Sequence, residues 1–197
     1  LSVRPENVQV LVEHIGHEIC SNESDLDFMM RGGASNATDL VIEGVQGSFD
    51  WIVDFEDLQR HLSCDNLEIT NSARLLQVGC GTSELSEKLY DAGFKNITNV
   101  DIDAPTILEM RARHQDIRPD MKWLTADMTE TSSVFPNGEC FEVALDKGTL
   151  DAMLCTDDAS ALFCEVARLL TVGGTFVVIS FRAREMIEKF LQLPRAP

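Results

Sequence analysis

From Arg74 onward, short apolar runs alternate with amphipathic stretches, and this alternation constrains the fold more than any other feature of the chain. RLLQVG, ITNVD, MKWLTA, FEVALD and TFVVIS read as five strands. Between them, segments from about Ser83 to Ala92, Pro105 to His114 and Ala159 to Leu170 carry helical spacing. Strands separated by helices need crossover connections, so the pattern predicts a doubly wound, mostly parallel α/β sheet of Rossmann-like type. Local chemistry marks the boundaries. Ser83 can cap its helix with Glu84 and Glu87 in the first turn, and Gly93 follows the last turn. Asp103 and Pro105 suit a second start, while Gly173 and Gly174 are expected to end the last core helix.

Upstream the signals are weaker. Val8, Leu11, Val12, Ile15 and Ile19 recur at three- and four-residue steps and predict an amphipathic helix. From Cys20 to about Gly47 the chain reads as a long loop, with a short strand at Leu40 to Ile42. SFDWIVDFEDLQRHL then sets Trp51, Phe55, Leu58 and Leu62 on one helical face. The expected division is an N-terminal helix and irregular segment over 1–47, followed by a ligand-binding domain over 48–197.

The 33 acidic and 16 basic side chains give a formal charge of −17, which repels polyphosphates and argues against a nucleic-acid partner. The same field would draw in a basic protein. The six cysteines show no C-x-x-C pair or finger spacing, which argues against zinc and fits a reducing compartment. His14 and His17 share a predicted helix face without further ligands nearby, so no metal is expected. Apolar runs such as FVVIS fall far short of the roughly 20 residues that span a bilayer. The opening residues show no apolar stretch of signal-peptide length, so a cytoplasmic location is expected.

The segment Val78-Gly79-Cys80-Gly81-Thr82-Ser83 joins a strand to a helix at the sheet edge where such folds bind ligands. A dinucleotide site would want a third glycine at position 84, where backbone must approach a pyrophosphate; Glu84 stands there instead and opposes a diphosphate. S-adenosylmethionine carries no phosphate, so the exclusion points toward this methyl donor. Asp101, twenty positions after Gly81, is placed to accept from both ribose hydroxyls. Asp127 could accept from the adenine amino group, with the Met128 backbone at the ring edge, or could instead cap a turn. Asp146, at the end of FEVALD with Lys147 and Gly148 turning the chain, is the leading active-site carboxylate. Asp151 is expected to cap the helix that TLDAML begins.

LLQVGCGTSELSEKLYDAGFKNITNVDID, with MKWLTADMT and FEVALDKGTLDAML after it, resembles the methyltransferases that modify elongation factor 1-alpha on lysine. That group includes the methyltransferase 13-like proteins and the domain fused to endothelin-converting enzyme 2. The segment FDWIVDFEDLQRHL resembles the aromatic helix they carry ahead of the first strand. The resemblance implies a class I methyltransferase fold and a donor pocket at Gly79, Gly81, Ser83, Asp101, Ile102, Asp127 and Met128. It further implies Asp146 and Lys147 beside the transferred methyl, Trp51 on the substrate side and S-adenosylhomocysteine as product. A basic protein such as an elongation factor would be the partner. Gln77 departs from the pattern, standing where many methyltransferases have an acid. The sequence ends at FLQLPRAP, before the family's closing antiparallel hairpin, so the sheet is expected to lack its last strands. Methylation of a protein N-terminus or a small metabolite, and a non-catalytic binding module on the same sheet, stay open as alternatives.

Overall fold

The computed structural model describes residues 9–14 and, from residue 69 to residue 187, all but 139, 157, 181 and 183–185. Among the described residues, six strands form one sheet: β1 (Gln9–His14), β2 (Leu75–Val78), β3 (Ile97–Asp101), β4 (Lys122–Thr125), β5 (Phe141–Lys147) and β6 (Leu170–Ser180). Their spatial order is β1-β6-β5-β2-β3-β4, and every pairing is parallel. The helices are α1 (Leu85–Asp91), α2 (Ala104–His114), α3 (Thr149–Met153) and α4 (Ala159–Leu169).

Central strands of such a sheet are covered on both sides, which is why LLQV is buried at all four positions. Leu75 joins a cluster with Leu85, Leu89, Ile107, Met110 and Trp123, so α1 and α2 cover one face. Leu76 and Val78 face the other way and meet Leu150 of α3 and Leu162, Val166 and Leu169 of α4. The doubly wound arrangement expected from the alternation is the one observed. The start of α2 also follows expectation, since Asp103 accepts from the Thr106 N–H at 2.9 Å and Pro105 lies in the first turn.

Two expectations are corrected. The amphipathic helix expected across Val8 to Ile19 is a strand over Gln9–His14, with Gln9 opposite Thr175 and His14 opposite Ser180. Val10, Leu11 and Val12 suit a strand as well as a helix face. The outer edge of β6 supplies a ladder of backbone groups that otherwise stay unpaired, and residues 9–14 pair with it. The second correction concerns Gly173 and Gly174. Helix α4 ends at Leu169, because Leu170 is already extended (φ −76°, ψ 141°) and pairs with Phe141. The two glycines lie in an irregularity of β6, where that strand runs from Leu170 to Thr175 while β5 runs from Phe141 to Val143.

The connection after β4 is clamped onto α4. Thr131 donates to Glu165 from its N–H at 2.9 Å and from its hydroxyl at 2.5 Å. Arg168 grips the same carboxylate at 2.8 Å and donates to the Phe135 carbonyl at 2.8 Å. These bonds hold Glu165 at about pKa 2, the Arg168 contact contributing most.

Candidate active site

Because all strands run the same way, Val78, Asp101, Thr125, Lys147 and Ser180 end at one edge of the sheet. The turn leaving β2 there requires glycine for two different reasons. Gly79 has φ 56°, and a Cβ on it would lie 2.0 Å from the Thr149 hydroxyl oxygen. Thr149 is that close because its hydroxyl donates to the Val78 carbonyl at 3.0 Å, locking α3 onto the turn. Gly81 has φ 49°, and among the described residues a Cβ on it would meet nothing within 4 Å. The described residues therefore leave space over Gly81, bordered by bare backbone. Cys80 points inward and continues the ladder through its N–H to the Val100 carbonyl at 3.0 Å. Burial, with the Asp101 charge second, pushes its thiol up to about 12, so it is not a nucleophile.

Asp101 is brought directly to this turn. Its Oδ2 accepts from the Gly81 N–H at 2.7 Å and its Oδ1 from the Asp103 N–H at 2.9 Å. A carboxylate has about four lone-pair sites, so these two bonds leave capacity for two more donors such as a pair of ribose hydroxyls. Ile102 is 68% exposed and offers an apolar surface next to that carboxylate. The strand end of β4 is tied to the same place, with the Ala126 N–H donating to the Asp101 carbonyl at 3.0 Å. One residue on, Asp127 accepts from the Thr129 N–H and hydroxyl at 2.8 and 2.7 Å through Oδ1, so the turn-capping role is realised while the residue stays exposed. The Met128 side chain is buried in the core cluster under α3 and α4. Ser83 accepts from the Leu85 N–H at 3.1 Å and shapes the start of α1, where Glu84 occupies the N-cap position without a side-chain cap bond.

Of the two acids after β5, Asp146 and not Asp151 holds the start of α3. Asp146 is completely buried, and both its oxygens accept from the Leu150 N–H, at 3.2 and 3.0 Å. It anchors α3 through that N–H. Burial, reinforced by the neighbouring Asp151 charge, pushes it up to about 7 despite the backbone donors. Asp151 does not cap α3; it lies inside the helix and reaches across to β6, accepting from the Ser180 hydroxyl at 2.7 Å. Lys147 is half-buried at the strand end. Trp51 and the helix expected around it, the strand at Leu40 to Ile42, and His17 lie outside the described residues.

Thr149 carries little signal in the sequence beyond a hydroxyl just after the Lys147-Gly148 turn. The partners of Gln77 carry no local signal either. That side chain is buried and hydrogen-bonds to the Ser86 hydroxyl, which also meets Asn99. A neutral network therefore stands beneath α1 where an acid was expected.

Residues 76–178 match the family model described as "Methyltransferase domain". The chain is 40% identical over 146 residues to the eEF1A lysine and N-terminal methyltransferase of Danio rerio, which spans 72% of this chain and 20% of that protein. It is 34% identical over 143 residues to the EEF1A lysine methyltransferase 4 of Mus musculus, spanning 66% of this chain and 53% of that one. The chain thus spans about a fifth of the length of the first relative and about half of the second. Among solved structures, the glycopeptide N-methyltransferase MtfA complexed with S-adenosyl-L-methionine superposes with a TM-score of 0.52 at 18% identity, over 68% of this chain and 58% of that one. That likeness concerns the fold.

Proposed function

Because the chain belongs to the methyltransferase domain family, we propose that it binds S-adenosylmethionine on the Gly79–Ser83 turn and transfers the methyl group to a lysine amine of a translation elongation factor. The observation that carries this reading is the Gly81 N–H bonded to Asp101 beneath space that the described residues leave open. It forms a cradle for a nucleoside, and Glu84 at the helix start disfavours a diphosphate there.

The residues present fit the donor. Gly79, Gly81 and Ser83 would border its amino-acid end, the remaining lone pairs of Asp101 would take the ribose hydroxyls, and Ile102, Asp127 and the Met128 backbone would meet the adenine. The bound donor would supply a sulfonium methyl for the acceptor nitrogen, leaving S-adenosylhomocysteine. The protein's contribution is positioning and exclusion of water. The amine must arrive without its proton, which passes to solvent. Asp146 supports the site from beneath by holding α3, and α3 in turn braces the glycine turn through Thr149.

The names of the relatives at 34–40% identity support the acceptor class. Those names cover both a lysine side chain and a protein N-terminus, and the net charge of −17 favours either when it is presented by a basic protein. Incubation with radiolabelled donor and purified elongation factor 1-alpha, followed by mapping of the labelled residue, tests the proposal. Label on lysine is expected. Label on the N-terminal amine, or on small molecules only when cell extract is added, would replace the acceptor. Failure to bind donor would leave only a non-catalytic module.

A further inference from the structure

Three polar side chains interrupt the apolar layer between the sheet and α1. Gln77 and Asn99 stand directly opposite one another on β2 and β3, and Ser86, in the first turn of α1, bonds to both. All three are buried. The layer they interrupt includes Leu75, Leu85, Leu89, Ile97 and Leu145. Burying amides and a hydroxyl there costs free energy that apolar side chains would not, unless their hydrogen bonds are met.

The direction of each bond follows from counting protons. Asn99 Nδ2 donates to the Lys122 carbonyl at 3.2 Å, which leaves its Oδ1 as the acceptor facing Ser86. A serine hydroxyl has a single proton. With that proton given to Asn99, the Ser86 oxygen must receive one from Gln77, whose amide therefore meets it through nitrogen. The chain of donation runs from Gln77 through Ser86 to Asn99, and from Asn99 to the backbone of β4.

This chain lies at the base of the glycine turn. Gln77 precedes Gly79 by two residues and Ser86 follows Ser83 by three, so the bond between them closes the loop that contains the Gly79–Ser83 segment. Asn99 and Asp101 are two apart on β3 and share a face. Asn99 holds the loop at Ser86, behind the turn, and Asp101 holds it at the Gly81 N–H. One strand thus fixes the turn and the start of the helix after it.

On the reading that this turn binds S-adenosylmethionine, we infer that Gln77 is a positioning residue for the methyl donor, acting as a hydrogen-bond donor through Ser86 and Asn99 to keep the turn and the start of α1 in register with Asp101. An ionised acid at position 77 could only accept. It would compete with Asn99 for the one Ser86 proton and break the chain.

Titration of the full chain with S-adenosylmethionine between about pH 6 and about pH 9, beside the wild-type protein at each pH, tests this. Gln77→Glu keeps the side-chain length but donates only while protonated, a form that burial favours. Its Kd for S-adenosylmethionine should stay within about twofold of wild type at the acid end and rise to about tenfold above it at the alkaline end. Gln77→Met and Ser86→Ala should each raise that Kd about tenfold, and the double variant no more than either alone, because both break one chain. A ratio for Gln77→Glu that stays flat with pH overturns the inference. So does wild-type affinity in Gln77→Met and Ser86→Ala, which would make the chain a support of the fold alone even if thermal melts fall. Should Gln77→Glu fail to fold, the double variant decides, and additive losses overturn the inference. No binding of S-adenosylmethionine by the wild-type protein overturns the reading of the turn itself, and this inference with it.

Discussion

The carboxylate of Asp101 accepts a hydrogen bond from the backbone N–H of Gly81 at 2.7 Å, across 20 residues of sequence. This bond joins the end of β3 to the turn after β2, so the residue expected to hold a ribose also sets the conformation of the turn beside it. A carboxylate held from below by backbone donors is pre-oriented, and little rotamer entropy is left to lose when ligand hydroxyls arrive.

Asp101→Ala removes those charge-assisted bonds, each worth about 1.5 to 3 kcal/mol, and should weaken S-adenosylmethionine binding roughly 10- to 100-fold. Calorimetric titration of the variant measures this directly. Affinity within a factor of about two of wild type would exclude Asp101 from the donor site.

Gly79 and Gly81 should respond differently to alanine. At Gly79 the new Cβ would sit 2.0 Å from the Thr149 hydroxyl oxygen, so overpacking of about 1 to 3 kcal/mol adds to left-handed strain. At Gly81 the Cβ finds room among the described residues and only the strain of roughly 1 kcal/mol applies, but the methyl would project into the proposed donor site. Thermal melts should rank Gly79→Ala as less stable, while Gly81→Ala should keep most of its stability and lose donor affinity. Wild-type affinity in Gly81→Ala would show that the open space is not the donor site.

Asp146 gives the protein an unusual pH dependence. Its folded-state pKa of about 7 lies above the ordinary 3.8, so the folded protein binds the extra proton between those values. The favourable contribution is complete below the ordinary value and is lost as pH rises through about 7. Asp146→Asn keeps the shape and an acceptor for the Leu150 N–H without the charge. Urea unfolding at about pH 5 and about pH 8 should find the asparagine variant gaining on wild type as pH rises. A pH-independent difference would contradict the burial argument.

Glu165 works in the opposite sense. Arg168 and Thr131 hold it at about 2, below the ordinary 4.5, so its stabilisation is present above the ordinary value and fades as pH falls toward about 2. Glu165→Gln should therefore be less stable than wild type at neutral pH, with the gap closing on acidification. A gap that persists unchanged in acid would mean the Thr131–Glu165–Arg168 clamp acts through shape and not charge.

Much of the geometry at this sheet edge was legible in the sequence. The pairing of Gly81 with Asp101 follows from chain order, because a strand-helix-strand unit returns its second strand beside the first and brings both carboxyl ends to one edge. The cap at Asp103 and the buried stretches of β2 and β3 follow likewise from residues within a few positions of one another. Glu84 in place of a glycine was equally plain.

What needed the tertiary structure involved contacts between residues distant in sequence. Asp146 and Asp151 are both acids near the start of the same helix, and local preference is nearly the same for either as its cap. The choice falls to Asp146 because β5 carries its side chain beneath α3 toward the Leu150 N–H, while Ser180 on β6 takes Asp151. Gln9–His14 has apolar spacing that suits a helix, and the unpaired edge of β6 makes it a strand. Composition and periodicity act over one or two turns of chain, so they define elements and their order. Which of two similar side chains is buried, and which edge recruits a distant segment, depends on neighbours that exist only after the sheet has assembled.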